Sequence, residues 1–212
     1  MRIALISAAL LASNLTVAAT PIDGFYSSLF GSYASVQNNI DVTRQGLTRT
    51  DSSYKPGYAA GGSFGYKSNP MRYEGQLNYI NAQLKSFRIN NIRQNGVTGS
   101  SDAILAMANA YYDTPSMLES IQPFLGFGLG YGRIRASLDS TGPVTASRFR
   151  GANYVFSYQA MAGLNYNFAE NYSIGLGYRY LATEKRGNLG KIFQVHIANV
   201  EVVYRFNEKR FK

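Results

Sequence analysis

From Gln122 to Arg135 the chain reads QPFLGFGLGYGRIR, and its two sets of alternate residues differ completely. Leu125, Phe127, Leu129 and Tyr131 form one set; Phe124, Gly126, Gly128, Gly130 and Gly132 form the other. Successive side chains of a strand point to opposite faces, so this spacing predicts a strand with one continuous greasy face and one nearly bare face. A water-facing sheet would carry polar residues on its second face. A ladder of glycines instead fits a narrow interior with little room for side chains. The pattern suits a strand of a small closed barrel whose apolar face meets lipid.

The 212 residues allow one domain of this kind. Cysteine is absent, which excludes disulfides and a cysteine lipid anchor, and the single His196 has no cysteine or second histidine to share a metal with. No cofactor is expected. The aromatic complement is 17 Tyr and 12 Phe without Trp, and a tyrosine ring with its polar tip suits a boundary between water and an apolar phase. Mean hydropathy of −0.18 argues against a helical membrane protein, but it is compatible with a barrel, whose strands give only alternate residues to lipid.

Residues 1–19, MRIALISAALLASNLTVAA, read as a secretory signal peptide. Arg2 supplies the positive start, Ile3 to Leu15 an apolar run too short to span a bilayer, and Val17-Ala18-Ala19 the small residues of a cleavage site. The expected organisation is a leader over 1–19 and a barrel domain over 20–212.

Eight strands are expected in the remainder: Gly24–Ser35, Gly57–Lys67, a third from Met71, Asp102–Tyr112, Gln122–Arg135, Tyr154–Phe168, Tyr172–Tyr180 and Phe193–Phe206. Alternation is clean in the third, where Tyr73, Leu77 and Tyr79 interleave with Arg72, Glu74, Gln76 and Asn78. It is poor in the first, and the fourth contains ILAMANA, apolar on both faces. Segments 37–56, 85–101 and Asp139–Gly151 read as long polar loops and Thr183–Lys191 as a shorter one, while Asn69-Pro70 and Glu170-Asn171 mark tight turns. Connections of alternating length predict an all-β, eight-stranded antiparallel up-and-down transmembrane barrel, with short periplasmic turns, long external loops and both termini periplasmic.

A water-soluble barrel of lipocalin type would have the reverse polarity, apolar within and polar without. Here the faces that carry charge also carry Gly, Ser and Asn, while the opposite faces carry Tyr, Phe, Leu and Val. Eight strands enclose little more than packed side chains, so the bulky faces must lie outside. The lumen is then expected to hold Lys67, Arg72, Glu74, Arg179, Glu201 and Arg205, with Glu74 and Glu201 pairing the cations because unpaired buried charge is costly. A filled, rigid interior is the expectation; a small porin-like ion path is the alternative.

Most of the excess positive charge sits in the loops. Lysines and arginines exceed carboxylates by one in 37–56, three in 85–101, one in 138–152 and two in 183–191, out of a total of +9 that includes Arg2. Lys85, Arg88, Arg93, Arg148, Arg150, Lys185, Arg186 and Lys191, joined by Arg133 and Arg135, are candidates to contact anions outside the cell. The expected partners are outer-membrane lipid and lipopolysaccharide, or an anionic host surface. Nucleic acid is not expected, because the aromatics lie on lipid faces and line no basic groove.

Asn109-Ala110-Tyr111-Tyr112-Asp113 followed by the Gln122–Gly132 stretch resembles the small outer-membrane barrels of the surface-antigen and opacity-like family of Gram-negative bacteria. In that family the first element ends the fourth strand and the second opens the fifth. Val200–Phe206 (VEVVYRF) is similar to the family's C-terminal signal for the barrel-assembly machinery, although NEKRFK follows it, so either Phe206 or Phe211 could end the signal. The resemblance implies a surface-exposed, non-enzymatic antigen or adhesin, sometimes with modest pore activity. Some eight-stranded barrels modify lipid A through a His–Ser pair. His196 falls on the expected lipid face, but the residue two positions on is Ala198, so an interfacial aromatic is the expected role.

Overall fold

The computed structural model describes residues 22–37, 41–44, 46–115, 120–143, 147–184 and 192–206. Along the chain run β1 (Gly24–Val36), β2 (Val42–Arg44), β3 (Leu47–Tyr54), β4 (Gly57–Ser68), β5 (Met71–Ile89), β6 (Ile92–Arg93), β7 (Ser100–Asp113), β8 (Ile121–Ser140), β9 (Ser147–Asn167), β10 (Tyr172–Thr183) and β11 (Gln194–Arg205). β1, β4, β5, β7, β8, β9, β10 and β11 are the staves of the expected eight-stranded barrel. Each pairs antiparallel with the next, and β11 returns to β1, so the ring has no free edge. Among the described residues no helix is long and apolar enough to cross a membrane.

One end of the barrel carries the short connections at Asn69-Pro70, 114–120 and 168–171; the other carries the extended ends of the staves. β8 and β9 run for 20 and 21 residues and stay paired from Ile121–Tyr166 to Ser140–Ser147. A tilted strand needs only about 9–11 residues to span a bilayer, so close to half of this hairpin projects beyond it.

These extensions correct the reading of 37–56, 85–101 and 139–151 as loops. β2 and β3 form a hairpin within the first segment, and β3 pairs with the upper part of β5, with register shifts around Ser53 and a positive φ of 51° at Asp51. β5 continues to Ile89 and turns through Asn90 and Asn91, both at positive φ, into β6. The reason is physical. The outward side chains here are Lys85, Arg88, Arg135, Arg148 and Arg150, which resemble a loop in composition, but Leu84, Phe87, Ile89, Ile134, Leu138 and Phe149 point inward and are buried. A wet face and a dry face are what a half-buried antiparallel strand requires.

The outer wall carries Leu29, Phe64, Leu77, Ile104, Leu125, Phe127, Leu164, Leu176, Val200 and Val202, all exposed, and Leu29 is 73% exposed. An apolar surface this extensive is stable in lipid and not in water. Aromatic girdles bound it. Near the short-turn end Phe25, Phe64, Tyr66, Tyr166, Phe168, Tyr172, Tyr204 and Phe206 form a chain of ring contacts at 5.0–6.5 Å. Tyr33, Tyr58, Tyr79, Tyr131, Tyr154, Tyr178 and Tyr180 mark the upper edge. β1, whose outward face the sequence left open, turns Phe25, Leu29 and Tyr33 outward and Tyr26, Ser28, Phe30 and Ala34 inward.

Candidate functional site

The lumen consists of two unlike parts. The part nearer the short turns is polar. Glu74 on β5 accepts four hydrogen bonds: from Tyr26 Oη and Ser63 Oγ, each at 2.9 Å, to one oxygen, and from Tyr111 Oη at 2.7 Å and Asn109 Nδ2 at 2.9 Å to the other. Asp113, at the end of β7, takes the cations. Lys67 Nζ lies 2.6 Å from one of its oxygens and Arg72 Nε 2.9 Å from the other, and all three side chains are nearly or fully buried. The carboxylate that binds Lys67 and Arg72 is therefore Asp113, and the pairing expected of Glu74 and Glu201 is not the one formed. The alternation signal is present in the sequence, because Asn109, Tyr111 and Asp113 share a face. With a neutral shell of four donors, Glu74 is compensated without a bonded cation.

The remaining cations of this part rest on neutral groups. Arg179 Nη1 donates to Asn78 Oδ1 at 2.7 Å, and its guanidinium sits 4.9 Å above the Phe30 ring. Arg205 Nη2 donates to Asn167 Oδ1 at 3.0 Å and Ser173 Oγ at 3.1 Å. Arg72 also stacks 4.4 Å over the Tyr111 ring and 5.3 Å over that of Phe124. Glu201 faces the same space beside Glu74 and Arg179. Gln159 links the middle of the lumen, donating to Asn109 Oδ1 at 2.6 Å and Gln76 Oε1 at 3.1 Å.

The glycine ladder of β8 faces inward, as its spacing predicts, and the structure shows what fills its space. A Cβ at Gly126 would come within 2.7 Å of Tyr111 Cε1; one at Gly128 would strike the Asn109 amide, one at Gly130 the Met107 sulfur, and one at Gly132 would lie 2.7 Å from Leu105 Cδ2. At Gly126 and Gly128 the glycines thus seat inward side chains of the neighbouring β7, while at Gly130 and Gly132 the β7 carbonyls of Ala106 and Ile104 lie nearer still. Elsewhere Phe30 lies over Gly61, Tyr26 over Gly65 and Phe124 over Gly163, each with its Cζ 2.6–2.8 Å from where a Cβ would sit. An eight-stranded barrel has room for such rings only where the facing wall lacks side chains.

Toward the extended end the lumen becomes apolar. Ala34, Val36, Ile80, Leu84, Phe87, Ile89, Leu105, Ile134, Leu138, Phe149, Val155, Leu181, Phe193, Val195 and Ile197 form one buried cluster, with Tyr54 and Val97 packed against it. The charge network expected of the lumen thus fills only part of it, and this explains why ILAMANA is apolar on both faces: Leu105 and Met107 belong to the plug, Ile104 and Ala106 to the outer wall. Backbone bonds between Thr98 and Asp139, at 2.8 and 3.0 Å, and from Thr141 N to Asn95 O at 3.1 Å tie the β6–β7 segment across the β8–β9 tip above the plug.

The outward candidates lie on the extensions. Arg150 makes a two-pronged contact with Asp139, at 2.8 and 2.9 Å, and Arg148 lies 3.7 Å from the same carboxylate. Hydrogen bonds from Arg150 hold the Asp139 carboxyl below the usual carboxylate range. Arg88 lies 3.5 Å from Asp51 and opposite Arg93 in the β5–β6 ladder. Arg133 stacks 5.7 Å over Tyr154, and Arg135 shares a shallow crevice with Asp102, Ser137 and Arg150. Lys85 points outward on β5. Lys185, Arg186 and Lys191 fall outside the described residues, as do residues 1–19 and Phe211. Phe206 donates its N–H to Phe25 O at 2.9 Å and joins the lower girdle.

His196 lies in the upper girdle, 5.3 Å from the Tyr180 ring. Its Nε2 meets the Gln37 amide at 2.7 Å, and its Nδ1 is hydrogen-bonded to the Tyr178 hydroxyl. Both ring nitrogens are thus engaged by girdle and rim groups. Among the described residues no group of His, Asp and Glu has the makings of a metal site.

Comparison with known proteins agrees with this architecture. The structure is similar to that of Neisserial surface protein A, with a TM-score of 0.58 at 20% identity over 86% of this chain and 97% of that one. It is also similar to the outer membrane protein OprG of Pseudomonas aeruginosa, with a TM-score of 0.53 at 13% identity over 90% of this chain and 99% of that one. In sequence it is 27% identical to an uncharacterized protein of Brucella suis biovar 1 (strain 1330) over 181 residues, 74% of this chain and 63% of the relative. The chain thus spans under two thirds of that relative's length, and 53% of a matching Brucella abortus protein. Residues 4–206 match the outer membrane protein beta-barrel domain, and the chain belongs to that family as an eight-stranded barrel of the outer membrane.

Proposed function

We propose that this protein is a closed, non-enzymatic surface barrel, with its extended end outside the cell, its termini periplasmic, and a basic rim that engages anionic surfaces in the manner of a surface antigen or adhesin. The observation that carries the reading is the division of the lumen. A buried apolar cluster seals the extended end while arginines and lysines project from the outer side of the same strands. A barrel built for conduction needs a continuous polar path, and side chains fill this one.

The rim cations differ in availability. Asp139 neutralises much of Arg148 and Arg150, and Asp51 faces Arg88. Among the described residues Lys85, Arg93 and Arg135 form no ion pair, and they are the cations best able to meet an outside polyanion. Lipopolysaccharide phosphates are the nearest such groups and a host polysaccharide a further one. The test has two arms. In planar bilayers the purified protein gives no stable, large single-channel steps; such steps would replace this reading with a small porin. Cells displaying the protein bind immobilised heparin, and Lys85→Gln, Arg93→Gln and Arg135→Gln together remove most of that binding. Retention undiminished in the triple variant would sink the adhesin reading.

A further inference from the structure

Four arginines stand together on the outer side of the β8–β9 extension, directly above the upper girdle. Arg133 and Arg135 follow Tyr131 on the outward face of β8, and Arg148 and Arg150 share the outward face of β9 with Tyr154. Asp139 takes Arg148 and Arg150. Asp102 stands directly opposite Arg135 in the β7–β8 ladder, where opposite charges ordinarily pair. Its oxygens accept instead from Tyr79 Oη at 3.2 Å, from Ser100 Oγ at 2.9 Å and from the Asn81 amide. Among the described residues Arg133 and Arg135 form no ion pair. Asp102, Arg135 and Arg150 line a crevice of about 280 Å³ with the small residues Ser137, Gly151 and Ala152. One step below it Arg133 is held over the Tyr154 ring.

We propose that this crevice binds the phosphorylated sugar headgroup of an outer-leaflet glycolipid, with Arg133 and Arg135 on the phosphate and Asp102 accepting from sugar hydroxyls. Height favours a lipid. An aromatic girdle marks where acyl chains end and headgroups begin, so a lipid beside this wall presents its phosphate at the level of the two arginines. The mixed lining favours a sugar. Guanidinium forks match phosphate, whereas a carboxylate repels a bare phosphate but accepts readily from hydroxyls. The wall below the crevice is notched. Ala106, Ala108 and Ala110 on β7 face outward beside Gly75 on β5, where a Cβ would meet nothing within 4 Å, and Leu77 and Leu129 stand out on either side. An acyl chain seated in that trough continues the headgroup downward. The site rests on the surface reading, in which the extended end stands outside the cell, and narrows a basic rim to one lipid position.

The full chain, folded in detergent, is titrated with bis-phosphorylated lipid A, and bound lipid is counted by native mass spectrometry. One lipid A per barrel is expected. Arg133→Gln with Arg135→Gln should weaken it by about tenfold or more, as expected for lost charge-assisted hydrogen bonds. Lys85→Gln with Arg93→Gln removes as much charge elsewhere on the rim and should leave binding unchanged. Equal weakening by the two pairs means diffuse attraction and overturns the site. Dephosphorylated lipid A should also bind far more weakly, and equal binding of the two lipids overturns the phosphate contact. That comparison uses the unaltered protein, so it decides even if the arginine pair fails to fold. Ala108→Phe fills the trough and should weaken lipid A while sparing soluble glucosamine 1-phosphate. If glucosamine 1-phosphate binds as tightly as lipid A, the occupant is a free phosphosugar and the lipid assignment falls. Heparin retention by displaying cells tests the surface reading separately. A barrel that retains heparin but binds no lipid A overturns this site and leaves that reading standing.

Discussion

Asp113 and Asp139 each hold two cations, one deep in the lumen and the other on the outer side of the β8–β9 extension. Asp113 and its partners Lys67 and Arg72 are at most 6% exposed by side chain; Asp139 is 30% exposed and Arg148 83%. The chemistry is the same and the surroundings differ. In the interior the field between the charges is barely screened, and removing one partner strands the others. At the surface, water and salt replace whatever is lost. The lumen repeats the contrast along its own axis, since the polar part depends on particular hydrogen-bond and charge partners, whereas the apolar part depends only on filled volume.

The sharpest test is Asp113→Asn. It keeps the shape and leaves Lys67 and Arg72 buried without their carboxylate, and an unfolding titration should show a loss of about 3–5 kcal/mol. Replacing the whole trio with Lys67→Met, Arg72→Met and Asp113→Leu should return stability close to that of the unaltered protein, because buried ion groups and apolar side chains of similar volume are nearly equivalent once no charge is stranded. A triple variant as unstable as the single one would break the comparison. In the apolar part, Leu138→Ala should cost about 2–5 kcal/mol through lost burial and the cavity it leaves.

Much of this was legible beforehand, for reasons tied to particular residues. Strand identity and face followed from alternation where the inward residues of a lipid-facing stave are polar or glycine, as at Tyr73–Tyr79 and Leu125–Tyr131, because lipid demands an unbroken apolar set on the other face. The projecting ends were not legible. There the outward residues are polar for water and the inward ones apolar for the plug, and beyond Leu84 the phase slips, so that Phe87 rather than Ser86 points in. Short windows around such a slip lose their period, and KSFRINNIRQ reads as loop. Asp113 was legible by face but not by partner. Pairing across the lumen joins β4, β5 and β7 through barrel closure, and no spacing along the chain reports it.

A smaller effect tests the glycine seats. Gly126→Val places a branched side chain where the Tyr111 ring lies, and Tyr111 is held by its bond to Glu74 and by Arg72 above it. Overpacking of this kind should cost about 1–3 kcal/mol in the same titration. Pairing it with Tyr111→Ala should recover part of the loss, since the ring then vacates the space. Absence of any recovery would mean that the strand backbone, rather than the ring, sets the limit.

The smallest effect closes the comparison at Asp139. Its carboxyl is held below the usual range mainly by the hydrogen bonds from Arg150, with Arg148 adding to the attraction. A carboxyl whose folded pKa is depressed contributes stability that is fully present above its unfolded value near 3.8 and is lost as pH falls through the folded one. Asp139→Asn should therefore leave unfolding at neutral pH unchanged within error, because the pair stands in solvent. It should also flatten the profile slightly at the acid end, below the unfolded value. Raising salt should shrink even that difference, by screening the attraction. The direct readout is the Asp139 carboxyl resonance followed through an acid titration. In Arg150→Gln its midpoint should move upward toward 3.8, and a midpoint that stayed depressed would assign the shift to Arg148 or to the strand backbone instead.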